Sequence, residues 1–276
     1  MSLAALPLPA PGALPRWAWP LLPLLALMLA GPLLAPHDPA AQDLLRVMQP
    51  PDARHWLGTD QVGRDVLSRV LAGAPHSLGL AMLAVGLAAS LGILLGLLAA
   101  SGGRWRQALI MRLADLMLAF PGLLLALILA GFMGGGVLPL LIGLQLALWP
   151  QYARMTAAVA GATLRQAHVE AARLAGFSRA HILVHHVLPP VLRTLMPLLT
   201  LGIGSAIMSI SALGFLGLGL QPPTPEWGAM VSELLPFLAE GPVQMAAPCL
   251  LIFAAVLACT LAGRALASAT TPESAP

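Results

Sequence analysis

His181, His185 and His186 are the densest group of chemistry-capable side chains in this 276-residue sequence. Residues four apart share a helix face, so His181 and His185 have the spacing of a metal-binding pair. A second group, His37, Asp38 and His55, follows the first apolar stretch and could meet an arriving metal. Both groups have a plainer reading. The first sits in a polar, helix-prone segment suited to contacting another protein, and the second in loops. No catalytic residue and no metal ligand is expected. The chain has no H-E-x-x-H, no G-x-S-x-G and no pair of aspartates inside an apolar run. Those absences argue against zinc proteolysis, serine hydrolysis and intramembrane aspartyl chemistry. All 14 basic residues are arginine. A phosphate-binding loop needs a lysine to reach the nucleotide phosphates, so this chain has none.

Such residues must be positioned by apolar elements. The composition is 58% apolar and 9% charged, with mean hydropathy +0.86. A soluble domain carries about 25% charge, so most of this chain must face lipid or other apolar helices. Six spans are expected. Trp17–Pro36 is the first; its small-residue site near Ala35 is followed by Pro36, which favours a retained helix over a cleaved leader. Ser77–Gly103 is the second. Leu116–Ala153 is too long for one helix, and Gly134, Gly135 and Gly136 divide it in two. Thr194–Pro225 and Gly241–Gly263 complete the set. Cys249 and Cys259 lie ten residues apart in one run, beyond disulfide reach on a helix, and read as small buried hydrophobes.

Arginine distribution sets the orientation, because basic loops stay in the cytoplasm. With six spans both termini share a side. That side holds Arg16, Arg104, Arg106, Arg112, Arg154, Arg165, Arg173, Arg179, Arg193 and Arg264; the other holds Arg46, Arg54, Arg64 and Arg69, with most of the acids. Both termini are therefore placed inside the cell. Asp115, near a cytoplasmic end, is expected to pair with Arg112 one turn away.

Two outer segments read as ordered. In Trp56–Gly73, Thr59 is a candidate N-cap. Asp60/Arg64 and Asp65/Arg69 are i,i+4 pairs on a wet face, and Gly73 and Pro75 end the helix. In Thr224–Leu235, Thr224 is a candidate N-cap, Pro225 the first helical residue and Glu226 a first-turn acid, while Trp227 suits an interface. Asp60, Arg64, Asp65, Glu226 and Trp227 are candidate docking residues on this side. The spacings Gly92-x-x-x-Gly96 and Gly131-x-x-x-Gly135, and the cluster Gly214, Gly217 and Gly219, permit close helix approach. The last cluster could also flex as a gate.

Residues 165–190 form a basic island between apolar runs, on the cytoplasmic side. They read as two short helices. Gly176 can end the first in a left-handed cap, Ser178 can cap the second, and Pro189-Pro190 end it near Leu188. Ala171, Ala172 and Ala175 would let another surface approach closely, with Arg165 and Arg173 free to pair with its acids.

Glu170-Ala171-Ala172, then Gly176, then Leu188-Pro189, resembles the "EAA" loop of ABC importer permeases. Leu57-Gly58-Thr59-Asp60, Gly63-Arg64-Asp65, Ser68-Arg69, Ala119-Phe120-Pro121, Tyr152-Ala153-Arg154, Phe215-Leu216-Gly217-Leu218-Gly219 and Glu226-Trp227-Gly228 resemble the dipeptide/oligopeptide/nickel subfamily. Pro190 stands where this subfamily usually has Asn, and His181 where Arg is frequent. The resemblance implies an all-α polytopic fold, the shorter of two related permeases, with an N-terminal portion (1–76), a core permease region (77–268) and a short tail (269–276). It implies that Glu170, Ala171, Ala172, Arg173 and Gly176 couple to a cytoplasmic ATPase. The implied partners are a homologous second permease, one or two ATPases carrying ATP and Mg, an extracytoplasmic solute-binding protein and membrane lipid. No nucleic acid is implied, and this chain is expected to hold no cofactor itself. The implied cargo is a peptide, nickel or a metal chelate, moved across a bacterial inner membrane. An ion-driven secondary transporter would need ionisable groups near mid-membrane and a duplicated topology, and the spans are nearly empty of such groups.

Overall fold

Apolar helices set the architecture of the computed structural model, which describes residues 17–270. The N-terminal residues up to Arg16 and the last six residues of the expected C-terminal tail lie outside the described residues. The helices in chain order are α1 (Leu22–Leu34), α2 (Val66–Ser101), α3 (Arg104–Leu118), α4 (Gly122–Phe132), α5 (Val137–Thr163), α6 (Ala167–Leu174), α7 (Arg179–Ile182), α8 (Leu188–Phe215), α9 (Trp227–Leu234) and α10 (Pro242–Thr270). A π-helical turn, Leu183–Val187, joins α7 to α8. An isolated bridge between Thr59 and Asp65 is the β-type pairing among the described residues.

Three helical stretches are long and apolar enough to cross a membrane: Val66–Ser101, Arg179–Phe215 and Pro242–Ala269. A fourth arises if α3 and α4, bent by 83° at Phe120-Pro121, count as one broken span. Two of the six expected spans fall short of that measure. Trp19–Leu34 is apolar but short, and α5, though 27 residues long, carries Gln145, Gln151 and Arg154. The triple glycine does separate α4 from α5. Gly134, Gly135 and Gly136 all have positive φ, a region that glycine enters without a Cβ clash.

The longest of the apolar helices, α2, packs its small side inward. On α2, Ala84, Ala88, Gly92, Gly96 and Ala99 are buried, while Leu87, Leu91, Leu94 and Leu98 point outward. This inversion suits lipid, where apolar burial gives no driving force between helices and close van der Waals contact must supply it. A Cβ on Gly92 would sit 2.5 Å from Tyr152 Cβ, and one on Gly96 2.5 Å from Thr156 Cβ. Those two glycines therefore set how near α2 and α5 approach. Gly131 and Gly135 share the spacing but not the role. Gly131 faces open space, and Gly135 sits in the turn.

Other expectations change. α2 begins at Val66, with Asp65 rather than Thr59 as N-cap, and runs through Gly73 and Pro75 without ending. Thr59 is instead a loop tie, its hydroxyl donating to the Arg46 carbonyl and accepting from the Gln49 N–H. Asp115 pairs with Arg154 of α5 at 3.0 Å rather than with Arg112. Cys259 is buried as expected, but Cys249 is exposed. Pro189 and Pro190 do not end the second helix expected in residues 165–190. They fall in the first turn of α8, directly after the π-turn, and the helical stretch continues through them.

Candidate functional site

At the α5–α8 connection, α6 presents a narrow buried edge and a broad free face. Val169 and Ala172 face the core, joined there by Ile182 and Val187. Glu170, Ala171, Arg173, Leu174, Ala175 and Phe177 are exposed, Leu174 by 83% and Phe177 by 50%. Of the residues expected to meet a partner, Ala172 is therefore packed against the core. The exposed Leu174 and Phe177 were not singled out from sequence. Apolar residues in a nominally polar loop were the available signal.

The end of α6 is locally encoded. Gly176 has φ +83°, its N–H donates to the Arg173 carbonyl, and the Phe177 N–H donates to the Ala172 carbonyl at 3.2 Å. This is the paired closure that a left-handed residue permits after a helix. Ser178 then accepts the His181 N–H and starts α7. Glu170 and Arg173 pair at 3.3 Å, but both are exposed, so the pair contributes at most about 1 kcal/mol. The His181 ring stacks on Phe177 at 4.7 Å and on His185 at 4.1 Å, while His186 lies 6.1 Å from His181. The His181 and His185 rings lie face to face.

Replacing Gly176 with valine puts a β-branched residue where φ is positive, at a cost of roughly 1–2 kcal/mol. We expect faster amide hydrogen exchange across 170–180 with unchanged exchange in α2 and α5.

Beyond the opposite end of α8 lies a buried polar assembly. Asp60 Oδ2 accepts from Arg64 Nε at 2.6 Å and also from Arg69 Nη1. Asp60 Oδ1 accepts the Val62 and Arg64 N–H groups. Glu233 Oε2 on α9 receives Arg64 Nη2 at 2.7 Å, Arg69 Nη1 at 2.8 Å and Gln61 Nε2 at 2.9 Å. The Asp60/Arg64 pair exists as expected, but in a loop and buried rather than on a wet helix face. Arg69 pairs with Asp60 and Glu233, not with Asp65.

Glu226 is the N-cap of α9, a role expected of Thr224. Its carboxylate accepts the Gly228 and Ala229 N–H groups and the Ser77 hydroxyl. Burial pushes its pKa up, opposed by those three donors. Trp227 is fully buried rather than interfacial, and its indole N–H donates to the Val70 carbonyl at 2.9 Å. Asp60, Arg64, Asp65, Glu226 and Trp227 are thus all inside the protein, and their polar atoms bind within the chain. They brace the segment before α2 and the start of α9 rather than offer a surface.

The glycine cluster makes this close packing possible. A Cβ on Gly214 would lie 2.1 Å from Glu226 Oε2, and one on Gly219 2.9 Å from Gly214 Cα. Gly217, φ +74°, closes the end of α8 in the same manner as Gly176 closes α6.

The Glu233 carboxyl has a depressed pKa. Burial would raise it, but the Arg69 hydrogen bond and charge, with Gln61 and Arg64, outweigh that and hold it below the ordinary 4.5. A depressed acid stabilises the fold above its unfolded pKa, and that contribution is lost as pH falls through the folded value. We expect thermal stability of the purified protein to fall as pH drops below about 4.5, with a smaller fall in Glu233→Gln.

Comparison with known proteins gives a consistent answer. Residues 92–271 match the family described as "Binding-protein-dependent transport system inner membrane component". The nickel transport system permease protein NikC of Escherichia coli (strain K12) is 38% identical over 232 residues, 84% of this chain and 83% of that one. The di/tripeptide transport system permease protein DppC of Pseudomonas aeruginosa (strain UCBPP-PA14) is 40% identical over 251 residues, 89% of this chain and 83% of that one. In fold, a chain of the inward-facing MetNI methionine ABC transporter superposes with a TM-score of 0.59 at 16% identity, over 74% of this chain and 97% of its own length. The apolar helices, the capped loop between α5 and α8 and these relatives agree: the chain is a multi-pass membrane protein and belongs to the binding-protein-dependent inner membrane components, the permease subunits of ABC importers.

Proposed function

We propose that this permease moves a peptide, nickel or a metal chelate across the bacterial inner membrane by alternating access, driven by separate ATPase subunits that seat on residues 167–179. One observation carries this reading. The seat is fused to a lever. α7, the π-turn and α8 run without a break from Arg179 to Phe215. At 1.5 Å per residue this spans roughly 50 Å. Its far end, at Gly214, lies directly against the Glu226 cap of α9. A push on α6 and α7 is thereby delivered along this helical stretch to the α9 end of α8.

In this reading Glu170, Ala171 and Arg173, with Leu174 and Phe177, form the contact face, and Gly176 fixes its shape. Gly214, Gly217 and Gly219 let the far end pack closely and re-pack when the lever moves. The buried network around Asp60 keeps the outer segment rigid under the solute-binding protein. Six crossings with both termini inside, including Trp19–Leu34 and α5, agree with the arginine bias. Residues 77–268 form the working core, residues 1–76 an added helix and outer cover, and 269–276 a tail. A homologous second permease completes the pore, and ATP and Mg belong to one or two ATPases, with no cofactor on this chain.

The test is uptake by the reconstituted complex in liposomes. Uptake should require the ATPase subunits and hydrolysable ATP, and should be stimulated by the solute-binding protein loaded with either a dipeptide or nickel. Uptake that persists with the ATPases removed and an ion gradient imposed would instead establish a secondary transporter.

A further inference from the structure

The outer segment brings together two imidazoles and a carboxylate that the buried charge network does not use. His37 follows α1, His55 lies in the loop before Gly58, and Asp65 caps α2. His55 Nδ1 is 2.8 Å from Asp65 Oδ1, His37 Nδ1 is 3.7 Å from Asp65 Oδ2, and the two rings are 4.8 Å apart. Each residue offers one ligand atom, and these atoms all lie within 4.8 Å of one another. Asp38, the acid adjacent in sequence, is not among them; it accepts the Ala40 N–H in its own turn.

We propose that His37, His55 and Asp65 form a binding site for a divalent transition-metal ion, with water completing its shell. The ligand chemistry sets the class. Two imidazoles with one carboxylate suit zinc, nickel, cobalt or copper, whereas magnesium and calcium prefer oxygen alone. Ligands held roughly 2.0–2.2 Å from such an ion stand about 3–3.5 Å apart, so a small turn of the His37 ring closes the set.

The framework is already fixed. The His37 N–H donates to the Ser68 hydroxyl. The His55 N–H donates to Asp52, and the His55 carbonyl accepts the Asp52 and Gly58 N–H groups. Asp65 Oδ2 holds the Ser68 N–H and hydroxyl, which leaves Oδ1 toward His55. Asp65 is buried and His55 partly so, while the His37 side chain is 40% exposed and opens the site to solvent. A bound ion would tie the end of α1 to the start of α2 through three points of the chain.

The test uses the full chain, purified in detergent with its partner subunits and without a polyhistidine tag. The protein is equilibrated with Ni²⁺ or Zn²⁺, passed over a desalting column and assayed for retained metal. His37→Ala is the cleanest variant, because the His37 hydrogen bond is made by its backbone N–H and its side chain meets Asp65 only at 3.7 Å; His55→Gln is the second. His181→Ala/His185→Ala reports binding by the cytoplasmic imidazoles. We expect about one retained equivalent, a rise in unfolding temperature on adding metal, and at least about 10-fold weaker binding in both outer variants. The His181/His185 variant should bind as the unchanged protein does. Absence of retained metal, equal binding by His37→Ala and His55→Gln, or loss only in the His181/His185 variant would overturn the assignment and leave a His–Asp ion pair.

Discussion

Replacing Asp60 with alanine is expected to destabilise the protein by about 3–5 kcal/mol. Asp60 shares two guanidinium groups with Glu233, and Arg64 and Arg69 are 3% and 1% exposed. Removing one acid leaves two buried positive charges facing a single carboxylate. The Val62 and Arg64 N–H groups also lose their acceptor. Breaking a buried pair costs far more than forming it gains, because the orphaned charge cannot recover its hydration. Asp60→Asn retains a carbonyl acceptor and should lose less. The measurement is thermal unfolding of the detergent-purified complex, with membrane abundance as a second readout. A change within about 0.5 kcal/mol, typical of an open surface site, would contradict the buried-network reading.

The second large effect is expected at Gly228. A Cβ there would lie 2.1 Å from the Ser211 carbonyl oxygen and 2.4 Å from Ser211 Cα. Both atoms belong to the α8 backbone, so no side-chain rotation can relieve the overlap. Gly228→Val must therefore push α9 off α8, opening the contacts of Glu226 and Trp227 beside it. Overpacking typically costs 1–3 kcal/mol, and a backbone clash belongs at or above about 3 kcal/mol. Fluorescence of the buried Trp227, in a chain whose other tryptophans are replaced by Phe, should shift to the red. An unshifted spectrum and unchanged stability would mean that α8 and α9 are farther apart than described.

Local signals were legible in the sequence, and partners distant along the chain were not. Gly176 and Ser178 act on their own turn, and both ends formed where expected. The Gly92/Gly96 spacing correctly marked a close crossing because both residues face α5. The identical spacing at Gly131 and Gly135 had no facing helix, which spacing alone does not reveal. Thr59, Asp60 and Asp65 are all helix-start residue types within seven positions. The choice fell to Asp65 because Thr59 is engaged by Arg46 and Gln49, and Asp60 by Arg64 and Arg69. Trp227 broke the interfacial rule because its N–H finds the Val70 carbonyl, 157 residues away. Pro75 was read as a stop. In a helix enclosed by neighbours the lost hydrogen bond is tolerable, and α2 continues.

The coupling seat is the centre of the account, and Leu174 tests it most directly. Leu174 is 83% exposed at the tip of α6, so aspartate there should leave the permease fold intact and damage only a docked partner. The measurement is the amount of ATPase that co-purifies with the permease, alongside unfolding temperature, for Leu174→Asp and for Glu170→Arg. We expect at least about a 10-fold loss of bound ATPase in Leu174→Asp, the effect of roughly 1.4 kcal/mol or more at a docked apolar contact. The unfolding temperature of the permease alone should be unchanged. Full ATPase retention and normal ATP-driven uptake in both variants would contradict the placement of the seat on residues 167–179.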